Sequence, residues 1–295
     1  MFAMVHGGAG RYLPEETPMI LEGCRAGVGV AWGLLSGGAS ALDAVEGAVR
    51  VLEDNPLFNA GTGSVLNADG IIEMDASIME GRTLRAGAVA NVRRVRNPVS
   101  VARKVLEEGR HVLLAGDGAM RFARACGIPD YPEERLVTER QGRRWEAHHG
   151  TVGAVALDAS GVLAAATSTG GLFGKRPGRI ADSALIGSGT YADNEVAVSC
   201  TGLGEAIIRT VMAHRIAFNM HRNGDAQRAA EEAVAYLAAR TVAEAGVIVI
   251  GADGGFGYAH STPDMPVGWY SAAGVTTAMR CCKGPALLLR APRDC

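Results

Sequence analysis

Thr151 follows a glycine and opens an apolar run, Val152 to Leu157, near the middle of a chain of 295 residues. If the peptide bond between Gly150 and Thr151 is cut, this threonine becomes an N-terminus. Its hydroxyl then lies a few ångströms from its own α-amine, which titrates at about 8 and can act as general base without a histidine or aspartate relay. Other residues of chemical interest follow it. Thr169 and Thr201 carry hydroxyls, and Arg179 and Asp182 place a cation and an anion three positions apart. Such a pair matches the carboxylate and ammonium of a free amino acid, although a local surface ion pair explains the same spacing.

The elements around Thr151 set these groups in register. Val152 to Leu157 and Val162 to Thr167 read as two strands joined by Asp158-Ala159-Ser160-Gly161, a hairpin signal. A three-residue loop with Gly161 in the left-handed position pairs Asp158 with Val162 and therefore opposes Thr151 to Thr169, with β-carbons about 5 Å apart. A two- or four-residue loop opposes Thr151 to Ser168 instead, and threonines also occur in strands simply because they fit there. Val196 to Cys200 reads as a strand running into Thr201-Gly202-Leu203-Gly204-Glu205, followed by a helical run through Ile207, Ile208, Val211, Met212 and Ile216. A glycine-rich helix start offers N–H donors to an oxyanion, while Thr201 also suits a helix cap.

Upstream, the pattern predicts helices around residues 15 to 35 and 40 to 53, a strand and hairpin zone from 57 to 92, a helix from about 98 and a strand near 111 to 115. Ser40 to Asp43 fits a capping box, and Asn97-Pro98 supplies an N-cap and a proline at the first helical position. Residues 127 to 149 carry many charges and no apolar period, which reads as a solvated, mobile connection ending at Gly150. The forty glycines cluster in tight turns. With 29 basic and 31 acidic side chains there is no electrostatic footprint for nucleic acid, and no window supplies a membrane span. Six irregularly spaced cysteines read as reduced thiols, so the chain is expected to be cytoplasmic. Gly187 to Ala192 matches G-x-G-x-x-A, yet the strand-like segment after it argues against a dinucleotide site. His148 and His149 are adjacent and point apart on an extended chain, so they make a poor joint metal site, and His6 beside the glycine turn reads as structural.

The segments HGGAG (6–10), NPLFNAGTGSVLN (55–67), MDASIMEG (74–81), GTVGAVALD (150–158), TSTGG (167–171), PGRIADS (177–183) and SCTGLGE (199–205) resemble, in order, the plant-type asparaginase or isoaspartyl peptidase family of N-terminal nucleophile hydrolases. The resemblance implies an α+β, four-layer αββα sandwich made by one domain over 1–295. It also implies self-cleavage into an α chain (1–150) and a β chain (151–295), and pairing of two αβ units. Thr151 would attack the side-chain amide of asparagine or the isopeptide carbonyl of a β-aspartyl dipeptide, and Thr169 would orient it. Arg179 and Asp182 would grip the α-carboxylate and α-ammonium, with Gly204 adding a backbone carbonyl. Thr201 and Gly202 would form the oxyanion hole, and Asn59 would support the site. The loop carrying Leu52, Glu53, Asn55, Phe58, Ala60 and Thr62 resembles one that holds a sodium ion by backbone carbonyls, and no cofactor is implied for the chemistry itself.

Two departures stand out. Leu203 occupies a place usually held by a small or hydroxyl residue and is expected at the pocket wall, and the tail from Cys281 to Cys295 is unlike the usual ending. Gly170-Gly171 favours the asparaginase branch over glycosylasparaginases. A taspase-like endopeptidase on the same fold is disfavoured because a mid-chain peptide lacks the termini that an Arg179–Asp182 clamp would grip, and a glycine-rich scaffold leaves the threonines unexplained.

Overall fold

The computed structural model describes residues 1–138, 150–271 and 274–280. Strand β1 (Phe2–His6) is followed by helices α1 (Thr17–Ser36) and α2 (Ala41–Glu53), strands β2 (Met74–Glu80) and β3 (Ala86–Val92), α3 (Pro98–Glu108), β4 (Leu113–Ala115) and α4 (Gly116–Ala125). From residue 150 onward come β5 (Val152–Leu157), β6 (Leu163–Thr169), β7 (Thr190–Ala192), β8 (Val196–Gly202), α5 (Gly204–Thr210), α6 (Met212–Asn223), α7 (Ala226–Thr241), β9 (Ala245–Gly251), β10 (Phe256–His260), β11 (Val267–Ser271) and β12 (Gly274–Ala278). An eight-stranded sheet runs β12-β11-β1-β5-β6-β2-β3-β4, and a four-stranded sheet runs β10-β9-β8-β7.

Side-chain period sorts these elements into four layers. In α1 the buried Ile20, Cys24, Val28, Ala31 and Leu35 recur at helical spacing, as do Leu42, Val45, Val49 and Leu52 in α2, and these stripes cover one face of the large sheet. Along β5, Val152, Ala154 and Ala156 meet those helices, whereas Val155 and Leu157 meet the second sheet. In β8, Val196, Val198 and Cys200 pack beneath α5 to α7, and Ala197 faces between the sheets. The alternation of strand side chains therefore sends the odd-numbered residues of β5, β6 and β8, among them Thr169 and Thr201, into the space between the sheets. This is the expected αββα sandwich.

The β5–β6 hairpin has the three-residue loop. Leu157 pairs with Leu163 and Val152 with Ser168, Asp158 N–H donates to Val162 O at 3.0 Å, and Gly161 has φ +75. Thr151 is thus opposite Thr169, and the Ser168 alternative falls. The hairpin inserts between β1 and β2, so two strands of the second half of the chain sit at the centre of the sheet between strands of the first, and β11 and β12 extend it beyond β1.

Several expectations are corrected. Between 57 and 73 there are turns and a single bridge, Leu66 to Ile72, and the strands begin only at Met74. The run from Ile207 to Ile216 is two helices, broken at Val211, whose φ is +48. The connection read as mobile lies outside the described residues from 139 to 149, as do His148 and His149, while its first part is anchored. Leu136 is fully buried and its carbonyl accepts from Gly63 N–H at 3.0 Å, and Tyr131 N–H donates to Arg94 O at 2.7 Å. A few isolated anchors produce no period, so charge count alone misread this segment. The tail from Cys281 also lies outside the described residues.

The capping box at Ser40 and Asp43 is formed, with Asp43 N–H donating to Ser40 Oγ at 3.2 Å. Asn97 does not cap α3. Its side chain donates to Asp54, and Glu53 takes the cap instead, its Oε1 accepting from Val99 N–H at 3.0 Å. Burial pushes the Glu53 carboxyl up to about 8. Such a group is protonated in the folded chain and ionised in the unfolded one between its ordinary value of 4.5 and about 8, so its contribution to stability is present in acid and shrinks as pH rises. Glu53→Gln is therefore expected to gain stability over the wild type from pH 5 to pH 8 in chemical denaturation. Glu53→Ala, which leaves the Val99 amide unsatisfied, should cost about 2–4 kcal/mol at pH 5 and less at pH 8, where the wild type has lost the contribution of the protonated carboxyl.

Candidate active site

Thr151 is 5 % exposed at the head of β5, and its Oγ1 donates to Thr169 Oγ1 at 3.2 Å. Thr169 Oγ1 also accepts from Gly171 N–H at 2.9 Å. With its lone pairs engaged from two sides, the Thr169 hydroxyl keeps one proton that it can turn toward Thr151 Oγ1 as that oxygen gains negative charge. In the continuous chain the Thr151 nitrogen is a peptide amide and has no basic lone pair. Only scission before it creates the base.

The Gly150–Thr151 peptide rests on the Gly7-Gly8 turn. Gly8 has φ +108, and a β-carbon there would lie 2.6 Å from Gly150 Cα and 3.1 Å from Thr151 N, so backbone meets backbone without a side chain between. Tyr12 Oη holds this turn through the carbonyls of Gly7 (2.9 Å) and Gly8 (3.0 Å).

Thr151 and Thr169 line one small cleft with Gly171, Leu172, Arg179, Ala181, Asp182 and Gly202. Arg179 and Asp182 are both present but are not an ion pair. Arg179 Nε and Nη2 instead form a fork with the Glu205 carboxylate, both contacts at 2.9 Å. Asp182 is buried, its Oδ2 has no hydrogen-bond partner among the described residues, and burial pushes it up to about 7 although the Arg179 charge opposes this. An unpartnered carboxylate oxygen at a cleft wall is a place for a cationic ligand group. Gly204 sits against both residues, since a β-carbon there would lie 2.7 Å from Arg179 Nη2 and 2.8 Å from Asp182 Oδ1.

The remaining candidates divide. Gly202 lines the cleft at the end of β8, and the donors expected from a helix start come from this strand end, because α5 begins only at Gly204. Thr201 is no helix cap. The cap position is Leu203, and Thr201 Oγ1 accepts from Ala9 N–H at 3.0 Å, which leaves the hydroxyl proton free to donate. Leu203 packs against the core under the small sheet and is absent from the cleft lining, contrary to the expectation of a pocket wall. Asn59 does support the site: Nδ2 donates to Gly171 O at 2.7 Å and Oδ1 accepts from Val65 N–H at 2.9 Å. Of the sodium-loop carbonyls, Leu52 O accepts from Asn55 N–H at 3.2 Å, Glu53 O from Thr62 N–H at 2.8 Å and Asn55 O from Phe58 N–H at 3.1 Å. Glu53 O and Asn55 O each keep a second lone pair, whereas Leu52 O also accepts from Asp54 N–H, and neutral oxygen donors of this kind fit a hard monovalent cation.

Sequence reasoning missed three supports. Glu205 holds Arg179. Buried Asp75 accepts from Asn91 N–H and Ala181 N–H, both at 2.8 Å, and so ties β2 to the segment carrying Arg179 and Asp182. Lys175, its ammonium disfavoured by burial, donates to Glu73 O at 2.6 Å beneath the same segment. Glu205 and Asp75 stood within quoted motifs, and only the partner's position in space reveals their use.

A four-layer sandwich with a threonine heading a central strand is the arrangement of an N-terminal nucleophile hydrolase. The sequence matches the Asparaginase family over residues 1–149 and 141–279. Plant-type L-asparaginase of Pyrococcus furiosus is 47% identical over 291 residues, covering 89% of this chain and 94% of that protein. Isoaspartyl peptidase/L-asparaginase of Xenopus laevis is 46% identical (89% of each chain), and that of Homo sapiens 43% identical (91% and 92%). The chain belongs to the asparaginase family.

Asn59→Ala strands a buried carbonyl and a buried amide together. It is expected to lower the unfolding free energy by about 2–4 kcal/mol, read from the denaturant midpoint at unchanged slope, and a loss below about 0.5 kcal/mol would show that water replaces both bonds.

Proposed function

We propose that this protein is an autoprocessing threonine amidohydrolase that hydrolyses the side-chain amide of L-asparagine and the isopeptide bond of β-aspartyl dipeptides. The observation that carries the reading is the convergence of Thr151, Thr169, Arg179, Asp182 and Gly202 on one small cleft. The names of the relatives, which include both activities, support it.

Cleavage between Gly150 and Thr151 frees the α-amine. Arg179, pre-oriented by Glu205, takes the substrate α-carboxylate, while Asp182 and the Gly204 carbonyl take the α-ammonium. The β-carbonyl is thereby brought to Thr151 Oγ1, whose proton passes to the α-amine as the C–O bond forms. Charge on the tetrahedral oxygen is met by Gly202 N–H and the Thr201 hydroxyl. The protonated amine then gives its proton to the leaving ammonia or amino acid, and water activated by the same amine hydrolyses the acyl-enzyme to aspartate. The clamp needs free head-group charges, which weighs against an endopeptidase.

The reading includes a structural sodium ion on the carbonyls of Leu52, Glu53, Asn55, Phe58, Ala60 and Thr62, and a pair of αβ units. Replacing sodium by choline should lower the thermal midpoint, and sedimentation should give twice the chain mass; an unchanged midpoint or a monomer mass rejects the respective element. The buried free thiols Cys24 and Cys200 support a reducing, cytoplasmic setting.

Thr151→Ala is expected to abolish release of aspartate from asparagine and from a β-aspartyl dipeptide by at least about a thousandfold, and retained activity would refute the assignment. Asp182 binds an ammonium only when ionised. With its carboxyl raised to about 7, affinity for L-aspartate should fall as pH drops from 8 to 6, approaching tenfold per unit at the acid end, whereas Asp182→Asn should bind weakly at both values. A calorimetric affinity flat across this range would remove Asp182 from the clamp.

A further inference from the structure

Between the two sheets runs a line of polar side chains that the chemistry above does not use. His6 Nε2 lies 2.9 Å from Ser199 Oγ, Ser199 Oγ lies 2.7 Å from Thr167 Oγ1, Thr167 Oγ1 lies 2.6 Å from Thr190 Oγ1, and Thr190 Oγ1 lies 2.7 Å from Ser77 Oγ. Ser77 Oγ ends the line by donating to Ser183 O at 2.6 Å. Every one of these residues is fully buried. At one end His6 faces Gly153 across the β1–β5 pair and its ring lies against the Thr151 backbone. At the other end Ser183 follows Asp182 directly. The line therefore joins the nucleophile to the residue placed on the substrate ammonium.

A carbonyl has no proton to give, so Ser77 is the donor to Ser183 O, and its hydroxyl also faces Thr190 Oγ1. Thr190 donates to Thr167, whose own hydroxyl reaches Gly189 O at 3.3 Å, and between Thr167 and Ser199 either hydroxyl can donate. Removing one of these hydroxyls leaves its neighbours with an unpaired polar atom in a dry interior, which is costly. Burial also pulls the His6 ring down to about 3, so the imidazole is neutral and carries one proton only. Space is reserved for the line: a β-carbon at Gly153 would lie 2.5 Å from His6 Nε2 and closer still to Ser199 Oγ.

We propose that His6, Ser199, Thr167, Thr190 and Ser77 form one hydrogen-bonded chain, and that these are positioning residues holding the Asp182 turn in register with Thr151. The proposal rests on the hydrolase reading above. It makes His6 neither base nor acid, and it assigns to the buried hydroxyls the distance between the head-group clamp and the attacking oxygen. Because the contacts are cooperative, loss of one hydroxyl in the middle frees both halves.

The test uses the processed protein and two substitutions at the midpoint. Thr190→Val keeps the shape and removes the hydroxyl, and Thr190→Ser keeps the hydroxyl. For hydrolysis of a β-aspartyl dipeptide, Thr190→Val is expected to lower kcat by about ten- to a hundredfold with KM changed less than about threefold, since the substrate still binds but is held off its attack geometry, and Thr190→Ser is expected to restore most of kcat. Nitrogen-15 NMR of ring-labelled histidine should show a neutral His6 ring in the wild type, with ring nitrogen shifts that change in Thr190→Val and return in Thr190→Ser. The NMR readout needs no turnover, so it decides on the chain even if the substrate assignment fails. Ring shifts of His6 that do not respond to Thr190→Val overturn the proposal. So does an unchanged kcat in Thr190→Val, or a loss of kcat that Thr190→Ser does not rescue.

Discussion

The site depends on the register of one antiparallel pair. Because side chains alternate along a strand, a slip of a single residue between β5 and β6 would turn Thr169 toward the helices and bring Ser168 opposite Thr151. The Asp158–Gly161 loop prevents that slip: Asp158 Oδ1 accepts from Ser160 N–H at 2.8 Å and from Val162 N–H at 3.0 Å, and Gly161 takes the left-handed position. Ala41 N–H donates to Asp158 Oδ2 at 3.0 Å, so the same carboxylate ties the hairpin to the start of α2. A local turn at one end of the hairpin thus decides which hydroxyl meets which at the other, some six residues away along each strand.

The central place of that hairpin also explains how a chain can be cut in its middle and keep its shape. β5 pairs with β1 and β6 with β2, so the two halves of the chain meet on both sides of the hairpin. The apolar core on the helix side likewise mixes α1 and α2 with β5 and β6. Scission would remove one covalent link and leave these contacts intact, with the new terminus beside Thr169. Buried polarity is then distributed by task. Glu205 presents Arg179 in a fixed orientation, Asp75 and Lys175 hold the segment that carries it, and Asp182 is left with one buried oxygen unpaired among the described residues.

Much of this was legible where cause and effect are close in sequence. The hairpin loop, the Ser40 capping box, the proline that starts α3 and the strand after Gly187 each follow from a few neighbouring residues. The failures come where the partner is remote. Glu53 takes the helix cap expected of Asn97 because a buried carboxyl 46 positions away reaches Val99 first. Val211 interrupts an apolar run that reads as one helix, since period alone gives no sign of a left-handed residue. Arg179 and Asp182 both line the cleft, but their spacing suggested a pair, and Glu205 claims the arginine. His6 is 193 positions from Ser199, and nothing in the local sequence of either announces the other.

Scission before Thr151 is the claim on which the chemistry turns, because a peptide nitrogen has no lone pair to accept the hydroxyl proton. Intact mass of the purified, active protein tests it most directly. Two polypeptides whose masses correspond to residues 1–150 and 151–295, the second beginning Thr-Val-Gly-Ala, are the expected result. A single full-length mass in a preparation that turns over asparagine at full rate would contradict it.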